Sequence, residues 1–144
     1  METRTQFIVL IVLLVVITCG FGGYFLYKDW STPKEVTKHY NVSNATLNPN
    51  SDIVLEFYSK AGGNITGTIN ASKEVEAFIL DTFNYLEYRK NRNLSAIALV
   101  FLTNGTRINI TWDVPSENFW YLLIYNNKTE NVVVEYDVWC RFLS

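Results

Sequence analysis

Residues 96–112 read AIALVFLTNGTRINITW, and this stretch decides the fold class. Ala96–Thr103 is apolar almost throughout, the pattern of a strand covered on both faces. Asn104-Gly105 follows, a pair that tolerates positive φ and predicts a tight two-residue hairpin. Beyond it the side chains alternate, with Ile108, Ile110 and Trp112 directed inward and Arg107, Asn109 and Thr111 outward.

The same period extends in both directions. Downstream, Val114-Pro115-Ser116-Glu117-Asn118 breaks the chain before a strand over 119–125. Asn126-Asn127-Lys128 turns it again, and residues 131–142 close the fold with Val132, Val134, Tyr136 and Val138 on one face. Upstream, Ile53, Leu55 and Phe57 alternate with Glu56 and Tyr58 until Ala61-Gly62-Gly63 ends the run. Residues 64–70 set Ile65, Gly67 and Ile69 against Thr66 and Thr68. Residues 73–81 begin with Val75 and Ala77 against Glu74 and Glu76, then become apolar on both sides at Phe78-Ile79-Leu80. Thr82–Asn91 loses the two-residue period and predicts a helical turn or a loop. Short strands at this spacing predict an all-β fold, an antiparallel β-sandwich of about seven to eight strands.

The sandwich is expected to follow one N-terminal transmembrane helix. Phe7–Tyr27 carries no charge over 21 residues, and at about 1.5 Å per residue it matches the roughly 30 Å hydrocarbon core of a bilayer. It ends in Tyr24, Phe25, Tyr27, Lys28 and Trp30, the aromatic and basic ending of an interfacial belt. A signal-anchor is the favoured reading. Cleavage near Thr18-Cys19-Gly20 and acylation of Cys19 are the alternatives. The expected organisation is a cytoplasmic tail over 1–6, the anchor over 7–27, a stalk or linker over 28–51 and an extracytoplasmic domain over 52–144. Residues 31–51 are rich in Ser, Thr, Asn and Pro, which suits a stalk, yet Val36, Tyr40 and Val42 alternate well enough for a first strand. Both readings stand.

Asparagines set the compartment. N-x-S/T occurs at Asn41, Asn44, Asn64, Asn70, Asn93, Asn104, Asn109 and Asn127. With 15 asparagines and 21 Ser plus Thr, random placement gives about two such motifs. The excess predicts N-glycosylation, hence a domain outside the cytoplasm and an N-terminus inside. The competing explanation is that turns and wet strand faces are built from Asn and Thr.

Reactive chemistry is sparse. His39 is the one histidine and reads as a solvated polar residue. The pairs Glu74/Glu76 and Glu135/Asp137 read as the wet face of strands, with a Ca²⁺ site as the sharper alternative. Arg89, Lys90 and Arg92 read as a solvated basic run. Cys140 reads as a small buried hydrophobe. Trp112 and Trp120 follow the inward alternation, whereas Trp139 lies opposite its strand's inward set and is the aromatic candidate for ligand contact. No phosphate-cradling glycine loop, zinc spacing or nucleophile elbow occurs, so neither an enzyme nor a cofactor or metal site is expected. A net charge of −2 spread along the chain gives no footprint for nucleic acid.

Two segments resemble the Golgi-dynamics (GOLD) type of β-sandwich. One is Gly67-Thr68-Ile69 with the apolar strand Val75–Asp81 and Asn84-Tyr85; the other is Val114-Pro115 with Trp120-Tyr121-Leu122-Leu123-Ile124 and Asn126-Asn127. Together they cover about half the domain. The resemblance implies a sandwich that acts through non-covalent interaction. The chain departs from the family in having Asn118-Phe119 where a glycine usually precedes the aromatic pair, and in placing its apolar helix before the sandwich. It also lacks the paired cysteines of the luminal cargo receptors.

The expected function is that of a single-pass surface glycoprotein held in the lipid bilayer, whose sandwich binds a protein or envelope-glycan partner. The alternatives are a pilin-like filament subunit with a glycosylated β-head and a carbohydrate-binding accessory module.

Overall fold

The structure, a computed structural model, describes residues 34–92 and 101–143. The expected anchor Phe7–Tyr27, Cys19, the sequon at Asn93 and residues 96–100 of the predicted apolar run lie outside the described residues. Among the described residues no helix is long and apolar enough to cross a membrane.

Six strands and one helix are present among the described residues: β1 Glu35–Leu47, β2 Asp52–Ser59, β3 Asn64–Asp81, α1 Thr82–Asn91, β4 Phe101–Asp113, β5 Asn118–Tyr125 and β6 Val132–Leu143. They form one antiparallel sheet in the order β1-β6-β3-β5-β2, with β4 on the other side of β3. The first half of β3 pairs with β6 through Asn64–Ala71, and the second half pairs with β5 through Glu76–Asp81. The sheet therefore curls on itself around β3, and its two halves share one core.

The expected count of seven to eight strands is corrected to six, because two predicted breaks are bends inside continuous strands. Asn64–Asn70 and Lys73–Asp81 are a single 18-residue strand with a register shift between Asn70 and Val75. Opposite that shift, Asn104-Gly105 makes no hairpin. A type I′ turn needs positive φ at both central residues and a type II′ turn at the first, and here Asn104 lacks it while Gly105 has φ 155. The glycine instead lets β4 follow β3 around the bend, with Val75 facing Gly105 and Asn70 facing Arg107. At the other end of β3, Gly67 permits a close approach of β6, since a Cβ there would lie 2.3 Å from the carbonyl oxygen of Asp137.

The two readings of the N-terminal stretch also resolve, from Lys34 onward. Glu35–Leu47 is a strand, paired with β6 from Glu35↔Leu143 to Leu47↔Val132. The compact unit thus begins at Glu35 rather than at Asp52.

The alternation read in the sequence places the core. Leu55, Phe57, Ile65, Ile69, Ile79, Ile108, Ile110, Leu122, Ile124, Val134 and Val138 are buried in one cluster between the halves. Removing any one of the fully buried Leu or Ile side chains costs about 2–5 kcal/mol. The two-sided apolar run has its own explanation. Phe78, Leu80 and Leu123 face away from that core into a second cluster completed by Tyr88 of α1. The helix starts where Asp81 accepts a bond from the Asn84 amide at 2.8 Å. It stops where Arg92 turns left-handed, at φ 50.

Register defines two poles. At the N-terminal pole β1 begins, β6 ends, β2 ends and β5 begins, with Glu35↔Leu143, Ser59↔Asn118 and Asn64↔Asp113. At the bend pole lie the β3–β4 bend, the 48–51 loop and the 126–131 turn.

Candidate functional site

Seven of the eight sequon asparagines are described, and none is buried. Asn41, Asn44, Asn104, Asn109 and Asn127 are exposed, and Asn64 and Asn70 are half-buried. Four share the outer face of the β1-β6-β3-β4 half. Asn41, Asp137, Thr68 and Asn109 form one row across it, and Asn64 and Asn70 lie beside Arg141 and Glu135. Asn44 sits at positive φ where β1 changes register. Near the bend, the Asn104 amide donates to Glu74 at 2.9 Å and the Asn127 amide to Glu76 at 2.6 Å. A glycosylated amide keeps one N–H, so sugar attachment and these bonds are compatible.

The same outer face carries Trp139, which is 46% exposed. Its ring is not open on both sides, because the imidazole of His39 stacks on it at 3.7 Å and 9°. His39 also bonds Asp137 through Nε2 at 2.5 Å. The solvated histidine expected from the sequence is therefore a wall of the Trp139 site, and a flat platform for a pyranose is reduced to the indole's other side, toward Thr66. Trp120 is buried and meets Trp112 edge-on at 5.0 Å.

The carboxylate pairs do not converge. Glu74 and Glu76 engage separate asparagines, and Asp137 engages His39. Among the described residues no group of three or more His, Cys, Asp or Glu is arranged to hold a metal ion. The basic run divides: Arg89 and Lys90 are exposed in the last turn of α1, whereas Arg92 reaches Asp52 at 2.6 Å and lies 5.2 Å from the Tyr88 ring. Tyr88 also donates to Asp52, at 2.8 Å. Burial, then the Asp52 acceptor, push its phenol well above the ordinary tyrosine range. Cys140 is a buried free thiol pushed up to about 12 by burial.

A groove of about 420 Å³ opens where the edges of β1 and β2 approach. Phe57, Tyr58, Phe119 and Phe142 line it with Lys38 and Glu56. Phe57 and Phe142 stack across the two halves at 5.6 Å, and Tyr58 tilts against Phe119 at 5.1 Å. Tyr58 donates to Glu117, a bond that raises its pKa, and the Tyr40 hydroxyl donates to the Glu56 carbonyl at 2.7 Å. In an antiparallel strand alternate residues turn both backbone groups to the same side. The outward groups of β2 are then those of Val54, Glu56 and Tyr58, with one carbonyl taken by Tyr40. The groove was not read from the sequence, although Phe57, Phe119 and Phe142 each fall at strand ends bordering it.

No family model matches the chain, and no curated protein sequence matches it. Among solved structures, the chain is similar to the Aeromonas hydrophila PliG, a periplasmic inhibitor of g-type lysozyme, at 10% identity and a TM-score of 0.43 over 76% of this chain and 86% of that one. It is also similar to the Yersinia pseudotuberculosis-derived mitogen, at 11% identity and 0.40 over 78% and 87%. The pre-peptidase C-terminal domain of a Bacillus anthracis collagenase gives 12% and 0.41 over 74% and 89%. Likenesses of this size carry nothing about ligand or partner.

Proposed function

We propose that the protein is a single-pass membrane-anchored glycoprotein whose β-domain lies outside the cytoplasm and binds a partner non-covalently, without turnover. The observation that carries this reading is the placement of the acceptors. A sequon asparagine fixed inside the core would be unusable, and none of the seven described ones is buried. Phe7–Tyr27 supplies the anchor and the acceptors supply the orientation. The curled sheet supplies the binding surface, the outer face around Trp139. The resemblance to GOLD sandwiches points to the same non-covalent role.

Expression in a eukaryotic secretory host tests it. Removal of N-glycans is expected to increase the gel mobility of the full-length chain in several steps, and Asn→Gln changes at Asn41 and Asn109 should each remove one. Protease added to intact cells is expected to digest the domain. A chain with unchanged mobility, protected until the cells are opened, overturns the proposal.

A further inference from the structure

Exposed apolar side chains are not spread evenly over this domain. Among the described residues, Val36, Tyr58, Phe83 and Phe119 are 50%, 37%, 72% and 47% exposed and lie at the N-terminal pole, while the exposed Leu86, Leu102 and Trp139 lie between the poles. Val36 is the second residue of β1 and pairs with Phe142, one position from the end of β6. Tyr58 and Phe119 face each other where β2 ends and β5 begins. Phe83 is the second residue of α1, after Thr82, whose hydroxyl bonds Asn118 at 3.0 Å. At the bend pole Val133 is the exposed large apolar side chain among the described residues.

The acceptors are distributed the opposite way. Asn44, Asn70, Asn104 and Asn127 lie toward the bend pole, and Asn41 and Asn109 lie midway. Only the half-buried Asn64, among those described, lies at the N-terminal pole. One end of the domain is thus apolar and nearly free of glycan sites, and the other is polar and rich in them.

Chain length gives the apolar end its occupant. The uncharged run stops at Tyr27 and β1 starts at Glu35. The residues between them span at most roughly 25 Å when fully extended. Resting on the membrane-anchored reading above, we infer that the N-terminal pole lies against the bilayer that Phe7–Tyr27 enters, with Tyr58, Phe83 and Phe119 at headgroup level. Aromatic rings favour that layer, and a clustered apolar surface of this kind marks an interaction site. The Tyr58–Phe119 contact and the Tyr58–Glu117 bond hold the rings in place, so little ordering is needed on contact. Lys34, Lys38, Lys60 and Arg141 are balanced at this pole by Glu35, Glu56, Asp113 and Glu117. The contact is therefore apolar, needs no anionic lipid and is insensitive to salt.

The full-length chain tests this in nanodiscs of phosphatidylcholine, a zwitterionic lipid. With Cys19→Ser as background and Cys140 buried, Phe83→Cys, Phe119→Cys and Val133→Cys each accept an environment-sensitive fluorophore. Labels at positions 83 and 119 are expected to shift to the blue, to lose most of their quenching by aqueous iodide and to be quenched by headgroup-nitroxide lipid, unchanged by added salt. The label at 133 should show the reverse. Two variants on different elements guard against one that misfolds. Flotation of the same chain in liposomes after an alkaline wash reports the anchor separately. If it floats while the labels at 83 and 119 remain wet, the anchor stands and this inference falls; if it does not float, both fall. Protection from iodide that appears only at several copies per disc and without nitroxide quenching identifies a second copy as the occupant, and also overturns the inference.

Discussion

Asn126 offers the sharpest test of how the bend pole is held. It is fully buried, and its side-chain amide donates to the carbonyls of Leu47 and Asn48 at 3.1 Å each and of Glu130 at 2.8 Å. Its Oδ1 accepts from the Lys128 amide at 2.9 Å. Its backbone bonds Ser51 at 3.0 Å and accepts from Asn50 at 2.9 Å. One side chain therefore ties the β1–β2 loop to the β5–β6 turn. Two N–H groups serve three carbonyls, so the side chain is equivalent to about three net hydrogen bonds at roughly 1 kcal/mol each. Asn126→Ala leaves buried carbonyls without a donor and is expected to cost about 3 kcal/mol. For a domain of this size that is a fall in Tm of roughly 12 °C or more. Urea unfolding of the full-length chain, followed by circular dichroism, measures the cost as a lowered midpoint at unchanged slope. Asn126→Asp should be at least as harmful at neutral pH, because it sets a carboxylate against three carbonyls, and should recover partly in acid, where the carboxyl donates again. A loss below about 1 kcal/mol for Asn126→Ala would refute the reasoning, since surface loops cost no more than that.

Two further outcomes follow from close packing and burial. Gly67→Ala should destabilise the domain by about 1–3 kcal/mol or more, because the new methyl meets the backbone of Asp137 and Val138 at 2.3 and 2.7 Å; a thermal melt unchanged from the parent would show that β6 can move aside. Cys140 has its thiol raised from 9.0 to about 12 in the folded chain. The folded state keeps the proton longer than the unfolded state, so this contribution is complete below pH 9, declines above it and is gone past about 12. Urea midpoints measured from pH 8 upward should fall, and Cys140→Ala should flatten the first part of that fall, before the tyrosines titrate.

The core was legible because burial imposes a two-residue period that no competing demand disturbs. Ile65, Ile69, Ile108, Ile110, Val134 and Val138 all lie where alternation puts them. The Phe78-Ile79-Leu80 run signalled a cover on both faces, but not that α1 supplies one of them. That helix carries Phe83 and Leu86 on its exposed side, which hides its amphipathic pattern. Residues 35–47 were ambiguous for a different reason. As an edge strand β1 is exposed at most positions, so its composition resembles a linker's. Asn104-Gly105 misled because a glycine that bends a strand and a glycine that reverses it are the same residue, and only the length of the partner strand decides. Asn126 was indistinguishable from its neighbour Asn127, although one is buried and the other exposed. Of the candidate site residues, Trp139 was identified by its parity along β6, while its stacking on His39 depends on strand pairing, which one sequence does not contain.

The pairing of β1 with β6 has a mechanical consequence. β1 leads directly to the N-terminal segment and is joined to the rest of the sheet by eleven register pairs with β6 alone. Tension between the tether and the carboxyl end would act at Glu35 and Leu143, which face each other, and would unzip these pairs one after another. Tension between the tether and something gripping the bend pole would load all eleven at once, in shear. The β1–β6 seam is therefore fragile to a pull between Glu35 and Leu143 and tough against a pull between Glu35 and the bend pole.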